Sequence, residues 1–263
     1  MSQIIRYLAA AILGVASFAS SAPLFAQQGY VHEVSGTVMG QVGSGQAASV
    51  SKGMTLPVGS TISTEANSYA VLKFEDGTVI LLKQNTAFQV QAYSFNPKAP
   101  ENANAVFSLV RGGLRFVSGL ISSKNRDAVR VATPHATIGI RGTEFTAELV
   151  NPLFVGVQVG AVGLTNAGGS LVVSAGQFAS VATAAQLGTL VPAINLPAGV
   201  LQFPKIALPP TTPVAVSSTA TGGSVGAGIG GAAGAGTAAA VGAAAAAGVA
   251  ASSNNRSAAT THH

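Results

Sequence analysis

The sequence predicts an all-β protein. Three observations carry the prediction. Apolar and polar residues alternate with period two over short runs between residues 27 and 185. Turn signals rich in Gly, Asp and Asn separate those runs at intervals of about 8–12 residues. None of the runs shows a helical period. Many short strands of this kind fit a sandwich, a roll or a short β-solenoid.

The chain begins with a different composition. Arg6 supplies a short positive region, Leu8 to Phe18 is an uncharged apolar run, and small residues lead to Ala26 before Gln27. This pattern reads as a secretory signal peptide over 1–26. The apolar run is shorter than the roughly 20 residues of a membrane span. The chain is therefore expected to be exported, to the periplasm or the surface of a bacterium.

Residues 27–185 are expected to form the β domain. "SYAVLKFEDGTVILLK" is its clearest piece: Ala70, Leu72 and Phe74 share one face, and Tyr69, Val71, Lys73 and Glu75 the other. Asp76-Gly77 tolerates positive φ and suits a two-residue hairpin loop, with Thr78 to Leu82 as the return strand. "AFQVQAYSF" (87–95) alternates again, and "VFSLVRGGLRFVSG" (106–119) reads as two short strands bent at Gly112-Gly113. "FVGVQVGAVGLTN" (154–166) and "SLVVSAGQFASV" (170–181) repeat the pattern with Gly at the bends.

Beyond the β region, 186–220 is rich in Pro, Ala and Thr, and "LPPTTP" (208–213) predicts an extended, semi-rigid linker. Residues 221–263 form a Gly/Ala-rich low-complexity tail with a polar end. Gly222, Gly226, Gly230 and Gly234 recur every four residues, followed by Ala238, Gly242, Ala246 and Ala250. A helix with that spacing would carry a smooth stripe of the kind that packs in membranes. Glycine is a poor helix former, so a flexible tail is the competing reading. Membrane association of 222–251 is one expectation for this tail.

Charge is sparse. The chain has 13 basic and 8 acidic residues and no cysteine. Removing Arg6 with the signal leaves twelve basic against eight acidic, a net charge of +4. Arg111, Arg115, Lys124, Arg126, Arg130 and Arg141 face only Asp127 between positions 111 and 141. Such a positive stretch is either a solvated sheet face or a patch for an anionic partner. Nucleic acid is not expected for an exported chain with so few aromatics beside its basic residues.

"VSGTV" (34–38), "KGMTLPVGSTISTEANSYAVLKFEDGTVILLKQNTAFQV" (52–90), "VRGGLRFVSG" (110–119), "TPHATIGIRGTEF" (133–145), "VGAVGLTN" (159–166) and "SAGQFASV" (174–181) occur in the order found in the FecR domain. The chain resembles that family over about 150 residues. The resemblance implies an all-β fold of solenoid-like or sandwich character, with a role in signalling or protein contact outside the cytoplasm. A full regulator of this type carries a cytoplasmic segment that handles a sigma factor, then a membrane span. This sequence opens on its signal-like stretch instead, so sigma-factor handling is not carried over.

The stretch 133–145 is the most specific. Pro134 fixes φ and pushes Thr133 toward extended geometry. Gly139 is expected at a bulge or corner, and Gly142 at a second one. Thr143 then opens a new strand, with Glu144 on its other face. Arg141, between two glycines, is expected to brace the corner by donating to otherwise unpaired carbonyls, with Glu144 as a candidate ion partner. The rival reading has Arg141 clamping a carboxylate or phosphate. His135 is expected to be a turn residue and not a metal ligand.

No catalytic constellation is legible, and no cofactor or metal is expected. The only Gly-x-Ser-x-Gly, at 222–226, lies in the Gly/Ala tract without strand–turn–helix context. A non-enzymatic exported module is therefore expected, presenting strand edges and loops to an envelope protein such as a transporter's signalling domain. The alternative is an envelope protein that holds an anionic glycan or peptidoglycan on the 111–141 region.

Overall fold

The computed structural model describes residues 29–212. The expected signal peptide (1–26) and the Gly/Ala-rich tail (221–263) lie outside them. The described part is mostly β, as the alternating runs predict. It contains β1 (Gly29–Ser35), β2 (Val38–Val42), β3 (Ala48–Ser49), β4 (Ser60–Thr64), β5 (Tyr69–Phe74), β6 (Val79–Leu82), β7 (Ala87–Ser94) and β8 (Asn104–Val117). After a short helix α1 (Leu120–Lys124) come β9 (Val129–Ala132), β10 (Thr137–Ile140), β11 (Glu144–Leu149) and β12 (Leu153–Val159). The last strands are β13 (Ala161–Asn166), β14 (Gly169–Ser174), β15 (Phe178–Val181) and β16 (Thr189–Val191).

Hydrogen bonds join all of these strands into one mixed sheet. The sheet is folded over on itself because β8 serves both halves. The C-terminal half of β8 pairs with β6 and β11 in a first layer ordered β1-β5-β6-β8-β11-β12-β15-β16. Its N-terminal half pairs with β7 and β9 in a second layer ordered β3-β2-β4-β7-β8-β9-β10-β13-β14. Only β8–β9 is parallel. The two strands expected around Gly112-Gly113 are thus one long strand. Its bend falls where Gly112 takes φ +79°, and Thr86 packs so close that a Cβ there would collide.

The inner faces of the layers form the core. Phe74 and Phe116 of the first layer meet Phe107 of the second, with ring centroids 5.0 and 5.9 Å apart. Phe88 stacks on Phe107 from the neighbouring strand at 5.6 Å. These rings are fully buried, and each contributes about 1.5–3 kcal/mol by leaving water. Alternation drives the arrangement: Ile138 and Ile140 point inward while Thr137 and Gly139 point out.

Two local expectations need correction. The β5–β6 loop has three residues, not two. Phe74 N–H donates to Thr78 O, Gly77 N–H donates to Phe74 O, and only Gly77 (φ +89°) is left-handed. Burial of Asp76 explains the extra residue. Its carboxylate turns inward, accepting from Thr78 N–H at 3.1 Å, Thr78 Oγ1 at 2.8 Å and Tyr93 Oη at 3.1 Å. Its own backbone carbonyl accepts from Leu120 at the start of α1.

The second correction concerns the expected linker at 186–220. Residues 189–191 are β16, paired with β15. Residues 201–212 run back across the outer face of the first layer. Phe203, Ile206 and Leu208 pack there on Val71, Val79 and Leu81, which are fully buried. Lys73 Nζ donates to Pro210 O at 2.9 Å, and a Cβ at Gly77 would strike the Thr211 carbonyl. The physical reason is the unbroken apolar run Val79–Leu82, which needs cover on both faces, so the proline-rich segment becomes a strap.

Candidate functional site

Among the described residues the strap covers the outer face of the first layer, whereas the outer face of the second layer, ending at its edge strand β14, carries exposed and half-buried residues. Short side chains dominate the face. Ala132 on β9 lies opposite Thr137 on β10, which lies opposite Thr165 on β13, and Thr165 opposite Ser170 on β14. The next row is Arg130, Gly139, Gly163 and Val172 on the same four strands. Arg130 is exposed, and Val172 is 56% exposed.

β14 ends the layer, with β13 its only partner among the described residues. Ser174 N–H turns away from β13 and donates to Gln177 Oε1 at 2.9 Å. By alternation, the backbone groups of Val172 and Ser170 also face outward from the layer. "GSLVVS" has no charge and no proline, the devices that commonly blunt an edge.

The stretch 133–145 is a hairpin followed by a crossing between layers. Pro134 sits in the β9–β10 turn, where Thr133 N–H and Oγ1 both donate to Ala136 O. His135 Nδ1 donates to Val181 O at 3.0 Å, a turn role. Gly139 is neither bulge nor corner: β10 pairs regularly on both sides, and Gly139 lacks a positive φ. The chain passes from β10 to β11 through Arg141 and Gly142, with Gly142 at φ +66°.

Arg141 does not brace this crossing. Its side chain is exposed and makes no hydrogen bond or ion pair among the described residues. Ser118 does that work: its Oγ accepts from Thr143 N–H at 2.8 Å, and its N–H donates to Thr143 O at 3.0 Å. Thr143 Oγ1 is buried and has no hydrogen-bond partner among the described residues. Glu144 pairs with Arg115, through Nε at 2.8 Å and through Nη2, on the outer face of the first layer. Arg141, in the crossing bend beyond β10, forms no ion pair among the described residues, so Glu144 is not its partner.

The 111–141 basic residues do not form one surface. Arg115 and Arg130 lie on the outward sides of opposite layers, with the core between them. Arg111 is separated from the position opposite Arg130 by five residues of β8, about 17 Å at an extended rise. Lys124 and Arg126 are exposed beside the start of β9, with Asp127 and Glu101 nearby in the chain and through Asn125. A single anion-binding patch spanning all six is therefore not built.

The buried titratable pair Asp76 and Tyr93 lines none of three clefts among the described residues. Burial raises Asp76 above its ordinary value of 3.8, opposed by hydrogen bonds from Thr78, Tyr93 and Ile121. Burial and the neighbouring Asp76 push Tyr93 up as well. Asp76 has no exposed surface and its carboxylate is ringed by donors, so it fastens the hairpin to α1. Three clefts are lined by Gly176–Ala193 residues (about 350 Å³), by Tyr69, Lys83 and Gln202 (about 540 Å³) and by Val42, Met54 and Ile62 (about 200 Å³). None of the three has a carboxylate or histidine in its wall. Among the described residues no group of three or more His, Cys, Asp or Glu could hold a metal ion, and no helix is long and apolar enough to cross a membrane.

The anchor of the strap is the feature that sequence reading missed. Glu148 accepts from Lys83 Nζ at 2.7 Å and from Leu201 N–H at 2.7 Å. The Lys83 ammonium also sits 5.5 Å from the Phe203 ring centroid. A buried-looking glutamate on a strand face was the available signal.

Residues 60–163 match the family model described as FecR protein. This family is one of non-catalytic signalling domains. No curated protein matches the sequence. Two crystal structures of a protein from Parabacteroides distasonis, described as "a putative anti-sigma factor", are similar at 17% identity, with TM-scores of 0.40 and 0.39. Each similarity covers 50% of this chain and 58% of the other.

Proposed function

We propose that this chain is an exported, non-enzymatic binding module that signals through contact with a protein of the cell envelope. The observation that carries the reading is the free, uncharged β14 edge beside an uncovered face. An extended segment of a partner adds to such an edge by main-chain hydrogen bonds, and its side chains give specificity. The signal-like stretch at 1–26 supports export. The Gly/Ala-rich tail at 221–263 is the segment that would associate with the membrane or extend from its surface. The dispersal of the basic residues removes the support for an anionic-glycan binder spanning 111–141.

The test is capture of envelope proteins by the purified full chain and by Val172→Lys. Lysine at an exposed edge position blunts pairing without touching the core. Loss of specific capture with unchanged thermal melting supports the reading. Equal capture by the variant refutes an edge-mediated contact.

A further inference from the structure

We infer that Gly139 and Gly163 form the floor of a docking lane for an extended acidic segment of a partner protein, with Arg130 and Arg141 receiving its carboxylates. The inference rests on the reading of the domain as a protein-binding module and names a second contact within it.

The two glycines lie directly opposite each other on β10 and β13. Glycine in a strand interior sacrifices side-chain packing and adds backbone entropy to be lost on folding. Here nothing among the described residues requires it. Neither residue has a positive φ, and neither sits at a register shift. A Cβ on Gly163 would meet nothing within 4 Å, and one on Gly139 would touch only Gly163 O at an ordinary 3.7 Å. Conformation and internal packing are thereby both removed as reasons. Close approach of another backbone from outside is the reason that is left.

The surroundings give the chemistry of the occupant. Arg130 lies opposite Gly139 on β9, and Arg141 follows Gly139 by two residues. Both are exposed and have no hydrogen-bond or ion-pair partner among the described residues. Arg141 lies on the bend just past the end of β10, so the two guanidinium groups flank Gly139 from the neighbouring strand and from the strand end. Alternate side chains of an extended chain are spaced by about 7 Å. Carboxylates on alternate residues of one extended segment can meet the two guanidinium groups, each of which can hold a carboxylate in a planar fork. The neighbours Ala132, Thr137, Thr165 and Ser170 are short, so a main chain can lie low over the floor. None is aromatic, which leaves no ring platform for stacking a sugar.

The probe is a fluorescein-labelled peptide, Thr-Glu-Thr-Glu-Thr, titrated against the full chain, with Thr-Gln-Thr-Gln-Thr as its neutral counterpart. The acidic peptide should bind and the neutral one should not. Arg130→Gln and Arg141→Gln should each weaken binding about fivefold to tenfold. Gly163→Val should abolish binding while thermal melting stays level or rises, because valine suits an open strand position. Gly139→Ala and Gly163→Ala serve the same purpose with less bulk. Binding that survives both valine and alanine at Gly163, or equal binding of the neutral peptide, overturns the lane. A fall in melting temperature for both Gly163 variants also overturns it, because the glycines would then serve the fold. If Val172→Lys still removes envelope capture while the acidic peptide fails to bind, the lane alone falls and the binding-module reading stands.

Discussion

The backbone N–H of Leu201 donates to Glu148 Oε2 at 2.7 Å across 53 positions of sequence. Glu148 is 6% exposed, and its other oxygen holds Lys83 Nζ. One carboxylate thus joins β11, the residue after β6 and the strap. Glu148→Ala should leave the Lys83 ammonium part-buried without its counter-ion and release the strap. A loss of about 3 kcal/mol is expected. Urea denaturation reads the loss, and limited proteolysis should show new early cleavage between 197 and 212.

Gly77 joins the same strap to the β5–β6 hairpin. Gly77→Val places a β-branched residue at φ +89° and drives its Cβ into the Thr211 carbonyl. The backbone strain alone is about 1–3 kcal/mol, and displacement of the strap adds to it. Thermal melting should fall well below that of the parent chain. Unchanged melting would refute the packing of the strap end on this turn.

Asp76 gives stability a pH dependence of unusual sign. Burial raises its carboxyl above 3.8 in the folded state, so the folded chain binds this proton more tightly than the unfolded one. Stability is then higher below 3.8, where the group is protonated in both states. It falls as pH rises from 3.8 through the folded-state value, and the cost of the buried charge is constant above that. Glu75 is raised too, chiefly by partial burial and then by Asp76, and acts in the same direction. Asp76→Asn should flatten this part of the profile, measured by urea denaturation from acid to neutral pH. An identical slope in the variant would sink the assignment.

Arg141 and Arg115 should behave differently. Arg141 is exposed and unpartnered among the described residues, so Arg141→Ala and Arg141→Lys should each change stability by less than about 0.5 kcal/mol. Arg115→Ala breaks the half-exposed pair with Glu144 and uncovers part of the first layer's outer face, at a cost of up to about 1 kcal/mol. Chemical denaturation of the three variants decides this. A large loss for Arg141→Lys would restore the bracing role.

Alternation along β10 and β13, the Asp76-Gly77 turn, the bend at Gly112 and the Pro134 turn were legible because each depends on neighbours in sequence. The strap was not, because its cause is distant: Val71, Val79 and Leu81 need cover, and Phe203, Ile206 and Leu208 supply it. Composition made 186–220 look like a linker, since proline-rich chain is extended whether it packs or not. The Gly139–Gly163 pairing was hidden for a related reason. Each glycine alone resembles a corner, and only the register of two strands shows them side by side on an open face. Arg141 misled because flanking glycines suggested a tight corner with free carbonyls, whereas Ser118 had already taken the Thr143 backbone.

The shared strand β8 has a mechanical consequence. The hydrogen-bonded path from the β14 edge to β16 runs β13, β10, β9, β8, β11, β12 and β15. A pull on β14 along this ladder loads strand after strand in series, and within the ladder the two layers are joined through β8. The bend at Gly112 lies on that route, where β8 passes from one layer to the other. Tension entering at the β14 rim is therefore divided between the ladder and the short β14–β15 connection, Ala175–Gln177.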